Sequence, residues 1–222
     1  KDSGKYIMFV NDVDNENIKI YATVSTNLIN WNVANDGNAI LTSKHFEHTS
    51  WASKAKDGIT PQSALLTDVL KHNGKWYLIM NGYNKNHKRN IGIVTTQNLI
   101  YGPYNIPKEP VIKEGAKYSF DEDGVFYGKV IKDSNTFKMF YDCINRNKIE
   151  VIAMATSNDL ITWKKYENNP VIEDHLGWRS RPYCSEPAFV NKEGKNIMIL
   201  IGGSKNFKLG WYHHYISGKM YK

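Results

Sequence analysis

Ser25-Thr-Asn-Leu-Ile-Asn-Trp31 returns twice further along the chain, as Thr96-Gln-Asn-Leu-Ile-Tyr-Gly102 and as Ser157-Asn-Asp-Leu-Ile-Thr-Trp163. Each copy follows an alternating apolar stretch, at residues 18–24, 91–95 and 151–155. Ahead of each stands a second strand-like run: Gly4-Lys-Tyr-Ile-Met-Phe-Val10, Gly74-Lys-Trp-Tyr-Leu-Ile-Met80 and Thr136-Phe-Lys-Met-Phe-Tyr141. A fourth run opens at Gly194-Lys-Asn-Ile-Met-Ile-Leu-Ile201. Lys5, Lys75, Lys138 and Lys195 head the four units, so the starts lie 70, 63 and 57 residues apart. Each unit holds three or four stretches rich in Ile, Val, Phe, Tyr and Trp, separated by Gly, Asn and Asp turns. Helical periodicity is nearly absent. Antiparallel repeats of this length predict an all-β fold, a β-propeller with about four blades in this chain. The Asn-Leu-x-x-Trp string is expected to close the last hairpin of a blade and to be structural, its Leu and Trp packing between blades and its Ser and Asn making turns.

Composition agrees with a globular chain of 222 residues, 41% hydrophobic and 13% aromatic. It excludes a disordered chain, a disulfide scaffold, a coiled coil and a helical membrane protein, because apolar runs such as residues 197–201 are only a few residues long. Net charge is +7. The tightest basic cluster, residues 85–89 (KNHKR), reads as a solvated hairpin tip, although such clusters can also follow a phosphate backbone or an acidic polysaccharide. No nucleic-acid or membrane partner is expected. Cys143 and Cys184 lack metal-type spacing and leave two buried thiols or one disulfide open. His45 and His48 are spaced as a zinc pair would be, without a further ligand beside them.

Turn-Gly-Lys-Tyr/Trp-Tyr-Leu followed by Ser/Thr-x-Asp/Asn-Leu-x-x-Trp resembles the five-bladed β-propeller glycosidases, the arabinanase and β-xylosidase family 43, with invertase-type enzymes more distant. Gly58-Ile-Thr-Pro-Gln-Ser-Ala-Leu65 and Gly102-Pro-Tyr104 continue the likeness, which runs through nearly all of the chain. The resemblance implies a hydrolase acting on an arabinan- or xylan-type poly- or oligosaccharide, in an extracellular or envelope setting. It implies residues 1–222 as one propeller domain, expected to be incomplete at one or both ends. Three carboxylates should enter the central channel from innermost strands. Those strands are expected at residues 60–65, 121–130 and 185–190. Glu186-Pro-Ala-Phe189 is similar to the strand carrying the general acid. Asp121-Glu-Asp-Gly-Val-Phe126 is similar to the strand carrying the aspartate that tunes the acid. Alignment on Val125-Phe126 favours Glu122, while residue type favours Asp123 or Asp121, of which Asp123 is preferred. The general base would precede Lys1. Without it the chain would be a sugar-binding propeller with a degenerate site.

One protonated carboxyl at the leaving oxygen and one carboxylate activating water are what glycosidic cleavage needs. Desolvation of Glu186 in an apolar strand and a negative charge at Asp123 would keep the acid protonated. Trp51 and Trp178 lie in polar loops and are expected to stack on sugar; Arg181 and Asp121 are expected to bind its hydroxyls. The resemblance also leaves room for a structural calcium in the channel, with His213 or His214 near it. No metal-binding residue is assigned, and no other cofactor is expected.

Overall fold

The computed structural model describes residues 3–13, 18–53, 64–172, 184–192, 195–206 and 211–221. Tight turns set its architecture. Asn73 and Gly74 both take positive φ, 48° and 74°, and close a two-residue hairpin in which His72 pairs with Lys75. That is the Asn-Gly geometry whose twist matches flanking strands. Ser134 and Asn135 close the next hairpin, where Asp133 pairs with Thr136. The repeat is therefore in register at Lys5, Lys75 and Thr136. Matching lysine to lysine puts the third unit two residues late.

Contacts divide the chain into two compact units, Lys1–His87 with Gly92–Pro110 and Lys88–Ile91 with Val111–Lys222. In the first, β1 (Tyr6–Val13) runs antiparallel to β2 (Ile18–Ser25). Two short strands, β3 (Asn32–Val33) and β4 (Leu41–Thr42), line the far edge of β2. One end of a second, seven-stranded sheet is β5 (Ala64–His72), β6 (Lys75–Tyr83) and β7 (Arg89–Thr96), neighbours in sequence order. The first three residues of β7 belong to the other unit. Short bridging strands at Asn105 and Ile112 pair with β7 as β3 and β4 do with β2.

The second unit repeats the plan with β8 (Gly124–Asp133), β9 (Thr136–Ile144), β10 (Glu150–Ser157) and β11 (Lys164–Lys165). It then adds β12 (Cys184–Lys192), β13 (Lys195–Asn206) and β14 (Trp211–Tyr221). β8 joins β7 in one seven-stranded sheet through a single parallel pair, Arg89 with Gly124, and each run of three long strands is a propeller blade. The fold is all-β, and no α-helix occurs among the described residues. None of the described segments is a helix long and apolar enough to cross a membrane.

The repeated string is a turn held by its own side chains. Ser25 Oγ accepts the N–H groups of Asn27 and Leu28, and Asn27 Oδ1 accepts those of Ile29 and Asn30. Ser157 and Asp159 do the same for residues 159–162. The Trp31 and Trp163 indoles donate to the carbonyls of Leu28 and Leu160, three residues earlier. In the second copy Gly102 replaces Trp, and the Tyr104 hydroxyl donates to the Leu99 carbonyl instead, at 2.6 Å. Leu99 and Leu160 are buried as expected, but Leu28 is 55% exposed. The string is structural in all three places.

The core of the first unit gathers Ile18, Ile20, Leu41, Phe46, Trp51, Leu78, Met80 and Val94. Phe140, Ile152, Ile172, Met198 and Leu200 form the corresponding cluster in the second. Strands β6 and β7 are buried on both faces along most of their length.

Candidate active site

Among the described residues, the first strands of three blades, β5, β8 and β12, each carry a one-residue bulge at nearly the same height. The ladder slips between Leu66 and Asp68 in β5, between Phe126 and Lys129 in β8, and between Ser185 and Ala188 in β12. Bulges bend a strand and re-aim a side chain. In β8 and β12 the bulged residue is not glycine yet takes left-handed φ: Tyr127 at 49° and Glu186 at 54°. That conformation costs an ordinary residue of order 1–3 kcal/mol and gathers where surrounding structure enforces it for function. Pro187 follows Glu186, which further restricts its backbone.

Glu186 is exposed, while Ser185 before it is buried. Its backbone N–H donates to both oxygens of Asp142 on β9, at 2.9 and 3.1 Å. The Ser185 hydroxyl donates to the same carboxylate. Asp142 is fully buried, and burial pushes its carboxyl well above the usual range; the charges of Glu150 and Glu186 push the same way. Half-buried Tyr127 is raised as well, by burial first and then by Glu186. Arg89 opposes this and lies over the Phe126 ring, 4.5 Å from its centroid. Gly124 leaves room for that approach: with φ at 145°, any Cβ there would sit 2.8 Å from the Arg89 backbone nitrogen.

The other expected carboxylates lie in the turn ahead of β8, because the strand begins at Gly124 rather than at residue 121. Asp121 is 2% exposed. It pairs with Lys165 at 2.6 Å and accepts the Ser119 hydroxyl at 2.7 Å. Its role is to fix the turn, and its burial leaves no surface for a sugar hydroxyl. Asp123 is gripped by Lys148, at 2.7 Å, and by Lys88. Hydrogen bonds from these two ammonium groups hold its carboxyl below the usual carboxylate range. It is therefore a neutralised charge, contrary to the expectation that it supplies a negative field. Glu122 accepts the backbone N–H of Tyr118. Lys88 and Arg89 thus leave the exposed hairpin tip, which is limited to residues 85–87.

Trp51 corrects a second expectation. It is completely buried, edge-on to Phe46, and its indole donates to the Pro107 carbonyl at 3.0 Å. An indole with no exposed face cannot stack on sugar. Trp178 and Arg181 lie outside the described residues, as do the side chains of Cys184, His213 and His214. Cys143 is a buried free thiol. His45 bonds to Thr42 and His48 to the Ile106 carbonyl, so the two do not converge on a metal. Among the described residues no three His, Cys, Asp or Glu side chains are grouped to hold a metal ion, and the channel calcium finds no ligand set there.

Asp142, Tyr127 and Glu150 escaped sequence reasoning. The signal for Asp142 was present as a polar residue inside the apolar run Phe137-Lys-Met-Phe-Tyr-Asp-Cys-Ile144. It becomes visible once the hairpin turns, rather than the lysines, set the repeat register.

Comparison with known proteins defines what this scaffold is. The model of the glycosyl hydrolases family 32 N-terminal domain matches residues 107–221, just over half of the chain. The chain belongs to that family. This family 32 chain also shares its fold with a thermostable family-43 glycoside hydrolase, at TM-score 0.67 and 15% identity, covering 100% of this chain and 69% of the other. A family 117 glycoside hydrolase from the marine bacterium Zobellia galactanivorans gives TM-score 0.67 and 15% identity, with 98% and 65% covered. The Bombyx mori family 32 beta-fructofuranosidase BmSUC1, as a mutant in complex with sucrose, gives 0.62 and 14%, with 97% and 44% covered. This chain thus spans roughly two thirds or less of these structures. No curated protein sequence matches it. The glycosidase propeller assignment stands on these likenesses.

Proposed function

We propose that this family 32 propeller hydrolyses a glycosidic bond in a poly- or oligosaccharide of the arabinan or xylan type, with Glu186 as the proton donor. One observation carries the reading: Glu186 is an exposed carboxylic acid held in left-handed backbone geometry on the bulge of an innermost strand. A carboxyl so presented, desolvated when bound sugar covers it, can protonate the leaving oxygen while water, activated by a second carboxylate, attacks the anomeric carbon. Asp123, already neutralised by Lys88 and Lys148, is assigned to anchoring the turn that faces the sugar. Trp178 and Arg181 complete the reading as sugar contacts.

The saturation of Asp121 and Asp123 by lysines favours a second reading, a propeller that binds sugar without cutting it. Assay on arabinan, xylan, sucrose and nitrophenyl glycosides separates the two. Turnover that falls about 100-fold or more in Glu186→Gln supports the hydrolase, the usual range for losing an acid–base group. Sugar binding without turnover by the wild-type protein supports the binding module. Equal turnover in Glu186→Gln and wild type removes Glu186 from the chemistry.

A further inference from the structure

Counted from the hairpin turns, Asn11, Asn81 and Asp142 occupy one repeat position, six residues after Lys5, Lys75 and Thr136. Counted back from the same turns, Leu66, Tyr127 and Glu186 occupy one position on the innermost strands, six residues before His72, Asp133 and Lys192. Asn11 and Asp142 of the first set reach for their counterparts in the second across a blade boundary. In the first unit the Asn11 amide donates to the Leu66 carbonyl and accepts the Leu66 N–H, both at 3.0 Å. In the second, Asp142 accepts the Glu186 N–H. Each clamp grips the innermost strand of the following blade at the place where its ladder slips. The difference between them is chemical. An amide both donates and accepts, so Asn11 satisfies both backbone groups of Leu66. The Asp142 carboxyl has two oxygens, and they accept the Glu186 N–H together with the Ser185 hydroxyl.

From this we infer that Asp142 is a positioning residue for Glu186, holding the backbone of the proposed acid in its left-handed bulge from the neighbouring blade. The inference rests on the reading of Glu186 given above, and Asp142 itself stays beneath the strand, out of reach of substrate. Hydrogen bonds to a backbone N–H in a site closed to water are electrostatically stronger than exposed ones and hold their geometry. They oppose the tendency of Glu186 to relax toward negative φ. A small relaxation would swing the exposed carboxyl away from the glycosidic oxygen, and misplacement by about 1 Å can cost on the order of 100-fold in rate. Positioning of this kind predicts a loss in kcat without a matching change in KM.

The test compares Asp142→Ala, Asp142→Asn and Glu186→Gln in the full chain. Hydrogen exchange at the Glu186 amide, read by NMR, requires no substrate. Asp142→Ala is expected to speed that exchange at least about tenfold, while Asp142→Asn, the residue used at positions 11 and 81, retains the protection. On the glycoside cleaved by the wild-type protein, Asp142→Ala is expected to lower kcat about 30- to 100-fold with KM within about threefold. Asp142→Asn should recover most of that loss. Unchanged amide exchange in Asp142→Ala overturns the clamp, and lost protection with unchanged kcat overturns the positioning role. Equal kcat losses in the Ala and Asn variants, both folded by circular dichroism, also overturn it. Full activity in Glu186→Gln instead strikes the reading of Glu186, and the exchange measurement still decides the clamp by itself.

Discussion

Tyr141 stands directly across from the bulge that carries Tyr127, and its hydroxyl is the one buried side-chain polar atom without a partner among the described residues. Burial drives its phenol far above the ordinary tyrosine range. A buried donor left unpaired forfeits its hydration, a penalty of about 1–3 kcal/mol. Tyr141→Phe removes the hydroxyl and keeps the ring, so it is expected to leave stability unchanged or raise it by about 1 kcal/mol, measured as the urea midpoint at constant m-value. A loss of more than about 1 kcal/mol would mean that the hydroxyl is satisfied. At this scale the sequence was only partly legible. Glu186 could be picked out because Glu-Pro within an apolar strand is unusual. Trp51 could not be read correctly, because a tryptophan between serine and alanine in a polar loop gives no sign that it folds inward beneath β7. Nor does a string of acids, Asp121-Glu-Asp123, disclose which of them will meet Lys165, Lys88 or Lys148 from distant strands.

Elements were the most legible level, because their signals are local. The Ser-x-Asn-Leu string works through hydrogen bonds spanning two to three residues, and Asn73-Gly74 sets its own hairpin. Bulges were not legible, since a slip in the ladder depends on both strands. The burial of Trp51 has a consequence for β7 that a sequence pattern does not reveal. Gly92 lies against the Trp51 indole, and a Cβ at that position would overlap the ring. The indole in turn cannot retreat without surrendering its bond to Pro107 and its edge contact with Phe46. Gly92→Ala is therefore expected to destabilise the chain by about 1–3 kcal/mol, the usual cost of overpacking a filled core. Chemical denaturation measures it. A neutral Gly92→Ala would show that the indole can shift freely, and Trp51 would then return as a candidate for a mobile surface contact.

For the whole molecule, the fold class was legible from a period of about 60 residues alone, whereas the site was legible only where it coincided with a repeat position. The same repeat logic turns pH into a probe of the clamp. An aspartate in the unfolded chain titrates near 3.9. Asp142 in the folded chain is raised well above that, chiefly by burial. Below pH about 4 it is protonated in both states and does not affect stability. As pH rises from there toward the folded pKa, only the unfolded chain gives up its proton, so wild-type stability falls, at no more than about 1.4 kcal/mol per pH unit. Asp123 works in the opposite sense: Lys148 and Lys88 depress its carboxyl, so its contribution is present above pH about 4 and vanishes as pH falls through its folded pKa. Both variants, Asp142→Asn and Asp123→Asn, can be followed by urea unfolding between pH 3 and pH 8. Relative to wild type, Asp142→Asn should gain stability steadily above pH about 4 and then level off. Asp123→Asn should lose it over that range and converge with wild type in acid. A stability difference between Asp142→Asn and wild type that does not vary with pH would mean that the carboxyl titrates normally, and Asp142 would then be no buried acid beneath Glu186.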